Sequence, residues 1–492
     1  MKLAAQYIDI GSRAPTVLLN TVDAAELGVH PLDRIQIEYD SRTAIGIVEF
    51  TDELVEPGTL GVTRRLGYVT GDVDVIPAPQ PNAVHYIKKK LDDIELDKHE
   101  LHRIVLDIKQ DRLSDVELGA YVTGTYTNGL SLEETMYLAE CMAEVGDAIQ
   151  WDDAVVADKH SIGGVAGNRV TPIIVPIVAA AGIKIPKTSS RAVTSPAGTA
   201  DTMEVLCDVE FSLDEIKEIV TETNGCLVWG GSVNLSPVDD KIIRAETPLS
   251  IDPPGQIIAS VLSKKKSAGS THIVIDVPYG EGAKVESLAA ARELAEDFKR
   301  VGDHLGMHIE CTITRGSQPI GRGIGPVLEA RDVLDTLAGN GPEELRLKSL
   351  RLADILLESC GCGGEAAEIL DSGRALATFR DILAAQGGDP DVTVDDLVPG
   401  RHELPVAADR AGVVTHVDNR LVSDIARRAG APRDKAAGMV LHCRVGDEIV
   451  PGDPLFTVHA ESAEKLTDAE RLVDKSEAVR VRSRDEALVE RV

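Results

Sequence analysis

Aromatic side chains are scarce in this chain, with 5 Phe, 2 Trp and 8 Tyr in 492 residues, or 3% of the total. That scarcity removes the stacking platforms on which single-stranded nucleic acid is usually held. Cations are outnumbered too, 51 Lys and Arg against 81 Asp and Glu, for a formal charge of −30 at pH 7. Nucleic-acid affinity rests on cations meeting backbone phosphates, so no nucleic-acid partner is expected. The acidic excess suits a salt-loving host or, equally, a solvated face without functional meaning. No apolar run is long enough for a membrane helix and no N-terminal signal-peptide pattern is present, which makes a soluble, cytoplasmic chain with no membrane partner the expectation. The seven cysteines are odd in number and scattered, so they form no secreted disulfide framework. Cys360-Gly361-Cys362 has neither a second pair nor a histidine cluster beside it, and no metal is expected there or elsewhere.

What is present reads as an α/β multidomain chain of three or four domains. Residues 1–82 carry short β-branched runs such as Arg34-Ile35-Gln36-Ile37 and Thr43-Ala44-Ile45-Gly46-Ile47, the pattern of a small β-barrel. Pro77-Ala78-Pro79-Gln80-Pro81 reads as a linker. From Ala83 the period becomes helical, and Ser114-x-x-Glu117 and Ser131-x-x-Glu134 are capping boxes that open helices. Residues 83–152 with 235–266 are expected to form a discontinuous helical lobe, and residues 153–234 with 267–404 an α/β lobe. In the latter, Ile173-Ile174-Val175 and His272 to Val277 are expected as strands and Val285 to Val301 as a helix. Residues 405–492 return to β runs and read as a C-terminal α+β tail. Turns there resemble those of carrier domains, but no lysine-bearing hairpin tip accompanies them.

Two segments carry the chemistry. Asp158-Lys159-His160-Ser161-Ile162-Gly163-Gly164-Val165-Ala166-Gly167-Asn168 brings a cation, a hydroxyl and close-set glycines together, just before the apolar run Val170 to Ala181. Glycines let backbone N–H groups crowd an anion, Lys159 supplies charge and Ser161 a donor. The spacing is not that of a Walker loop. The second segment, Thr188 to Glu204, packs Ser189, Ser190, Thr194, Ser195 and Thr199 around Arg191. So many small donors cannot build a core but suit an oxyanion-rich ligand.

These segments, followed by Arg244 and by Ser260 with Lys264 in Ala259-Ser260-Val261-Leu262-Ser263-Lys264-Lys265, resemble the thymidine and pyrimidine-nucleoside phosphorylases over most of the chain from Val84 onward. Two departures are informative. Thr194-Ser195-Pro196-Ala197-Gly198-Thr199 stands where that family carries a His-Thr-Gly-Gly-Thr type of segment, and an extra domain precedes Ala83. Both are similar to the archaeal AMP phosphorylase branch, which turns a nucleoside 5′-monophosphate and phosphate into free base and ribose 1,5-bisphosphate.

The resemblance implies site residues and no cofactor beyond inorganic phosphate as co-substrate. Lys159, Ser161, Ser189 and Thr199 would hold phosphate. Gly164, the run Ser190-Arg191-Ala192-Val193-Thr194-Ser195, Thr199, Ser260 and Lys284 would hold the nucleoside monophosphate, with Lys264 as a second base-side cation. Asp252, in Ile251-Asp252-Pro253-Pro254, would be the acid that protonates the leaving base; read without the resemblance, Asp-Pro is a plain turn or helix entry. His160 is the rival acid, and Arg244 a base contact of pyrimidine-specific members. Lys265 and Lys266 read as a solvated basic helix end. The resemblance also implies a homodimer or larger homo-oligomer, with the barrel used in assembly. Two alternatives stand beside this reading. A thymidine or pyrimidine-nucleoside phosphorylase would have no use for Thr194 and Ser195, and a non-catalytic assembly module would have none for Lys159, Ser161, Thr199 and Asp252.

Overall fold

The computed structural model describes residues 1–12, 14–192, 195–249 and 251–483. The chain divides into two compact units, Met1–Val145 with Ser236–Ser260, and Gly146–Leu235 with the chain from Val261 onward.

The first unit opens with six strands, β1 (Lys2–Ile8), β2 (Thr16–Leu19), β3 (Arg34–Tyr39), β4 (Arg42–Phe50), β5 (Thr59–Thr63) and β6 (Gly71–Pro77), closed into a barrel in the order β1-β5-β2-β4-β3-β6. Closure leaves no unpaired edge. Alternate residues point inward, so Leu3, Leu19, Ile35, Ile37 and Leu60 fill the interior. Helix α1 (Thr21–Leu27) is capped by Asn20, whose side chain accepts from the Val22 amide.

Four helices follow: α2 (Asn82–Leu91), α3 (Lys98–Lys109), α4 (Asp115–Asn128) and α5 (Leu132–Glu144). Both expected capping boxes form, Ser114 with Glu117 and Ser131 with Glu134, and Asp97 with Glu100 makes a third. Glu134 also accepts from Lys90 Nζ at 2.9 Å with both side chains buried, tying α5 to α2. Arg34 on β3 donates to the Arg112 carbonyl at 3.0 Å and pairs with Glu117, which fastens barrel to helices. A helix at Asp239–Glu246 returns to this unit, and the division falls within the next helix, Pro254–Ser267.

The second unit is built on parallel strands. Strands β7 (Ala157–Ser161), β8 (Ile185–Ser189), β9 (Gly225–Trp229), β10 (His272–Tyr279) and β11 (His308–Arg315) form a sheet β11-β10-β7 and a pair β8-β9, which a parallel bridge from Val156 to Lys184 joins. Here the expectation of a strand at Ile173-Ile174-Val175 is corrected: those residues lie in helix α6 (Thr171–Ala180). The apolar run is too long for one strand, Pro172 fits a first helical turn, and nine of the ten residues are buried against the sheet and the helices Glu343–Ser359 and Arg374–Ala385. The helix expected from Val285 runs instead over Leu288–His304, because Ser287 caps it by accepting from the Ala290 amide at 3.1 Å.

The C-terminal segment packs strands His402–Ala407, Gly412–Val417, Gly438–Leu441, Glu448–Ile449, Pro454–Ala460 and Val479–Arg482 with helices Asn419–Arg428 and Ala463–Val473. Gly438–Leu441 pairs antiparallel with Gly323–Ile324, so this segment is stitched to the α/β layer by backbone hydrogen bonds. No described helix is long and apolar enough to cross a membrane.

Candidate active site

Open parallel sheets bind ligands at the carboxyl ends of their strands, and two of the four expected phosphate residues lie there, whereas Lys159 is mid-strand and Thr199 opens a helix. Ser161 ends β7, Ser189 ends β8, and Asp276 pairs with Ser161 in register on β10. The loop after β7 carries Gly163 and Gly164 at positive φ. A Cβ on Gly164 would lie 2.4 Å from the Lys284 backbone nitrogen, so only glycine lets these two segments close on one another. Gly164 and Lys284, both expected at the nucleotide, are thus adjacent through the backbone, with the Lys284 side chain exposed.

Lys159 is 1% exposed and donates to Thr171 Oγ1 at 3.3 Å. Burial lowers its pKa to about 7; Asp276 opposes that shift, and Lys348, Arg169 and Lys265 add to it. Asp276 is held by Lys348 at 2.8 Å, accepts from Thr314 Oγ1 at 2.6 Å and binds Ser161 Oγ. Asn168 Nδ2 donates to Ser161 Oγ at 3.1 Å. Asn168 Oδ1 and Ser189 Oγ are buried and have no hydrogen-bond partner among the described residues. An unpaired buried acceptor or hydroxyl costs about 1–3 kcal/mol, so Ser189 in particular has hydrogen-bonding capacity to spare at the strand ends.

Behind β7 lies a second charged layer. Asp158 is fully buried, pairs with Lys265 at 2.9 Å, lies 4.0 Å from Lys187 and accepts from Ser270 Oγ at 3.1 Å. The reading of Lys265 as a solvated helix end is therefore corrected: it is 2% exposed. Lys264 and Lys265 are consecutive on a helix and so point about 100° apart, and only the second turns onto Asp158. Lys266 does reach the surface, donating to the Leu305 carbonyl at 2.8 Å. Burial, reinforced by Lys265, Lys187 and Lys264, pushes the His160 pKa well below its ordinary value. At neutral pH His160 is then a neutral imidazole, without the extra proton of an imidazolium donor.

In the Ser/Thr segment, Val193 and Thr194 lie outside the described residues. Gly198 closes the rest, since a Cβ there would lie 2.4 Å from the Ser190 carbonyl. Asp201 Oδ2 accepts from the Ala192 and Gly198 amides at 2.6 and 2.9 Å, fixing the loop at the entry to helix α7 (Thr199–Met203). Ser195 Oγ donates to the Ala197 carbonyl at 3.0 Å. Thr199 Oγ1 accepts from Arg169 at 3.0 Å, and Arg169 also pairs with buried Glu329 and donates to the Ala197 carbonyl at 2.8 Å. Arg191 is engaged on every side. It makes two 2.7 Å hydrogen bonds to Glu204 and one of 2.9 Å to Glu210, and lies 4.7 Å over the Trp229 ring. These carboxylates raise its pKa, and the guanidinium braces the loop.

Asp252 is exposed and Ser260 half-buried, both in the first unit. Arg244 is exposed there and donates to its own helix at the Asp240 carbonyl, 3.2 Å away. Lys264 is half-buried and follows Ser260 by four residues on the helix Pro254–Ser267. Sequence reasoning missed Lys187, Asp276, Lys348 and Arg169, and gave Asn168 no role of its own. Asp276 and Lys187 had a usable signal, a charge inside an apolar strand run, whereas Lys348 on an ordinary amphipathic helix had none. No group of three or more His, Cys, Asp or Glu suited to a metal ion occurs among the described residues.

Residues 153–361 match the glycosyl transferase family a/b domain, residues 84–146 its helical bundle domain, and residues 413–479 the pyrimidine nucleoside phosphorylase C-terminal domain. Over its full length the chain is 63% identical to the AMP phosphorylase of Natronomonas pharaonis, covering 100% of both. It is 47% identical to AMP phosphorylase 1 of Archaeoglobus fulgidus, covering 92% of each, and 46% identical to the AMP phosphorylase of Thermococcus kodakarensis, covering 98% of each. Among solved structures, anthranilate phosphoribosyltransferase from Thermus thermophilus shares the fold, with a TM-score of 0.52 at 18% identity, covering 61% of this chain and 99% of that one.

Proposed function

Because this chain belongs to the AMP phosphorylases, a family built on glycosyl transferase helical-bundle and a/b domains, we propose that it cleaves AMP and other nucleoside 5′-monophosphates with inorganic phosphate, releasing free base and α-D-ribose 1,5-bisphosphate. The observation that carries the reading is the crowding of lysines around β7. Lys159 and Lys348 face one carboxylate, Asp276, and in the layer behind them Lys187 and Lys265 face another, Asp158, while the Ser189 hydroxyl at the end of β8 has no hydrogen-bond partner among the described residues. Burial and mutual repulsion bring Lys159 down to about 7 and Lys187 well below its ordinary value, and an anion bound beside them would favour the charged forms again.

In this reading Lys159, Ser161, Ser189 and Thr199 hold phosphate, and one of its oxygens attacks C1′ as the C1′–N bond breaks. The transition state has oxocarbenium character, as in glycoside hydrolysis, so an anion placed beneath C1′ stabilises it. The electron pair of the breaking bond leaves with the base, and a proton delivered by Asp252 neutralises it; the proton that hydrogen phosphate gives up on becoming an ester returns through solvent to Asp252. His160, held neutral by burial and by its cationic surroundings, serves as a contact to the base. Gly164 and the Lys284 segment, Ser260, and the loop Ser190 to Ser195, braced through Arg191, hold the nucleotide. Donors arranged for a 5′-phosphate are left unpaired by a bare hydroxyl, which penalises nucleosides. We further propose that the enzyme works in the cytoplasm as a homodimer or larger homo-oligomer.

The test is phosphate-dependent base release from AMP compared with adenosine and thymidine. Strong preference for AMP, with ribose 1,5-bisphosphate as co-product, is the expected result. Equal catalytic efficiency on AMP and adenosine would overturn the assignment, and preference for thymidine would favour the pyrimidine-nucleoside alternative.

A further inference from the structure

We propose that Asn419, the first residue of the helix Asn419–Arg428, is a positioning residue for the phosphate loop. Asn419 is 2% exposed. Its Oδ1 accepts from the Ala166 amide at 3.2 Å, and its Nδ2 donates to the Gly316 carbonyl at 2.9 Å. A Cβ on Gly282 would lie 3.5 Å from the Asn419 Cβ, so the loop after β10 runs close by. One carboxamide therefore joins two loops at the strand ends, the one after β7 and the one after β11.

The consequences run through Ala166. Its carbonyl accepts from the Ile320 amide at 3.0 Å, so with Asn419 in place both backbone polar groups of Ala166 are bonded. Two residues before it, Gly164 sits on the Lys284 backbone; two residues after it, Asn168 donates to Ser161 Oγ at 3.1 Å and to Asp276 Oδ2 at 3.4 Å. Asn419 is itself immobilised. Asp418 caps its helix by accepting from the Arg420 and Leu421 amides at 2.8 and 3.0 Å, and Ser423 Oγ donates to the Asn419 carbonyl at 2.7 Å. A rigid helix end thus presents one acceptor and one donor at set positions. Among side chains of this size only an amide does both, because aspartate would set a carboxylate oxygen against the Gly316 carbonyl and leucine offers neither group.

The inference rests on the phosphorolysis reading in one respect: the loop is taken to receive phosphate. The experiment compares wild type, Asn419→Leu, Asn419→Asp and, as a neighbouring control, Arg420→Ala, whose exposed side chain pairs with Glu286 at 3.1 Å. Phosphate is varied at saturating AMP, and amide exchange is followed over residues 162–168 without ligand. Both Asn419 variants should raise the KM for phosphate about tenfold, the scale of losing one or two buried hydrogen bonds. Turnover at saturating phosphate should stay within about twofold of wild type, because bound phosphate re-forms the loop. Exchange over 162–168 should accelerate in both variants, and Arg420→Ala should match wild type in every readout. An unchanged KM for phosphate, or a loss confined to kcat, would overturn the proposal. Should Asn419→Leu not fold, Asn419→Asp carries the test alone. If wild type released no base from AMP, the phosphorolysis reading would fail, yet the exchange data would still decide the clamp: unaltered exchange in the variants would refute it.

Discussion

In the proposed function Lys159 is a phosphate-holding group, and its environment would make that binding pH-dependent in a defined direction. Burial, with help from Lys348, Arg169 and Lys265 and against the pull of Asp276, brings its pKa down from 10.5 to about 7. An ammonium with that pKa is about nine-tenths charged at pH 6, one-tenth at pH 8 and one-hundredth at pH 9. A dianion bound beside it requires the charged form. For sulfate, whose own charge is constant over this window, affinity should therefore fall about tenfold from pH 6 to 8 and about a hundredfold from pH 6 to 9, which is about 2.7 kcal/mol over the full range. Titration calorimetry in two buffers of different ionisation heat reads both the affinity and the proton uptake, which should approach one proton per sulfate at pH 8. Lys159→Arg, whose guanidinium does not titrate here, should flatten the profile. Stability moves by the same linkage. Between about pH 7 and 10.5 the unfolded chain keeps the lysine proton that the folded chain has released, so the Lys159 contribution to stability grows as pH rises through that window and is lost as pH falls through about 7. A wild-type sulfate affinity that is flat from pH 6 to 9, with no proton uptake, would refute the reasoning.

Asp252→Asn should keep AMP binding but lower turnover about a hundredfold or more, the scale of losing a general acid, and less for a base that leaves readily without protonation; near-normal turnover on AMP would remove Asp252 from that role. Lys265→Met leaves buried Asp158 only Lys187, 4.0 Å away, and the Ser270 hydroxyl, and should destabilise the protein by at most about 3–5 kcal/mol, while Asp158→Asn with Lys265→Met should regain much of the loss; thermal unfolding of the single and double variants checks this, and equal melting temperatures for all three proteins would contradict it. Deleting the chain before Ala83 should reduce the oligomer size seen by light scattering, and an unchanged size would count against assembly through the barrel.

Much of this protein was legible in order along the chain, because local patterns need no tertiary context. The barrel strands show through period-2 burial, and the helix starts show through Ser114-x-x-Glu117 and Ser131-x-x-Glu134, whose capping bonds are made within a single turn. The turn after β7 was legible for the same reason: close-set glycines, which take positive φ there, are a local device. Where the local pattern was degenerate, reading failed. Ile173-Ile174-Val175 is apolar on every side and so carries no period, and only its burial between the sheet and two later helices makes it helical. Tertiary structure alone decided the charge partners. Lys265 joins Asp158, Lys348 joins Asp276, Asn419 joins Ala166 and Gly316, and Arg191 is spent on Glu204 and Glu210. Each of these pairings except that of Arg191 spans tens to hundreds of residues, and its value depends on burial, which sequence distance does not encode. A lysine at a helix end in water and a lysine locked to a carboxylate in the interior are the same letter; the interior removes the water that would otherwise solvate both charges, and only the fold brings that about.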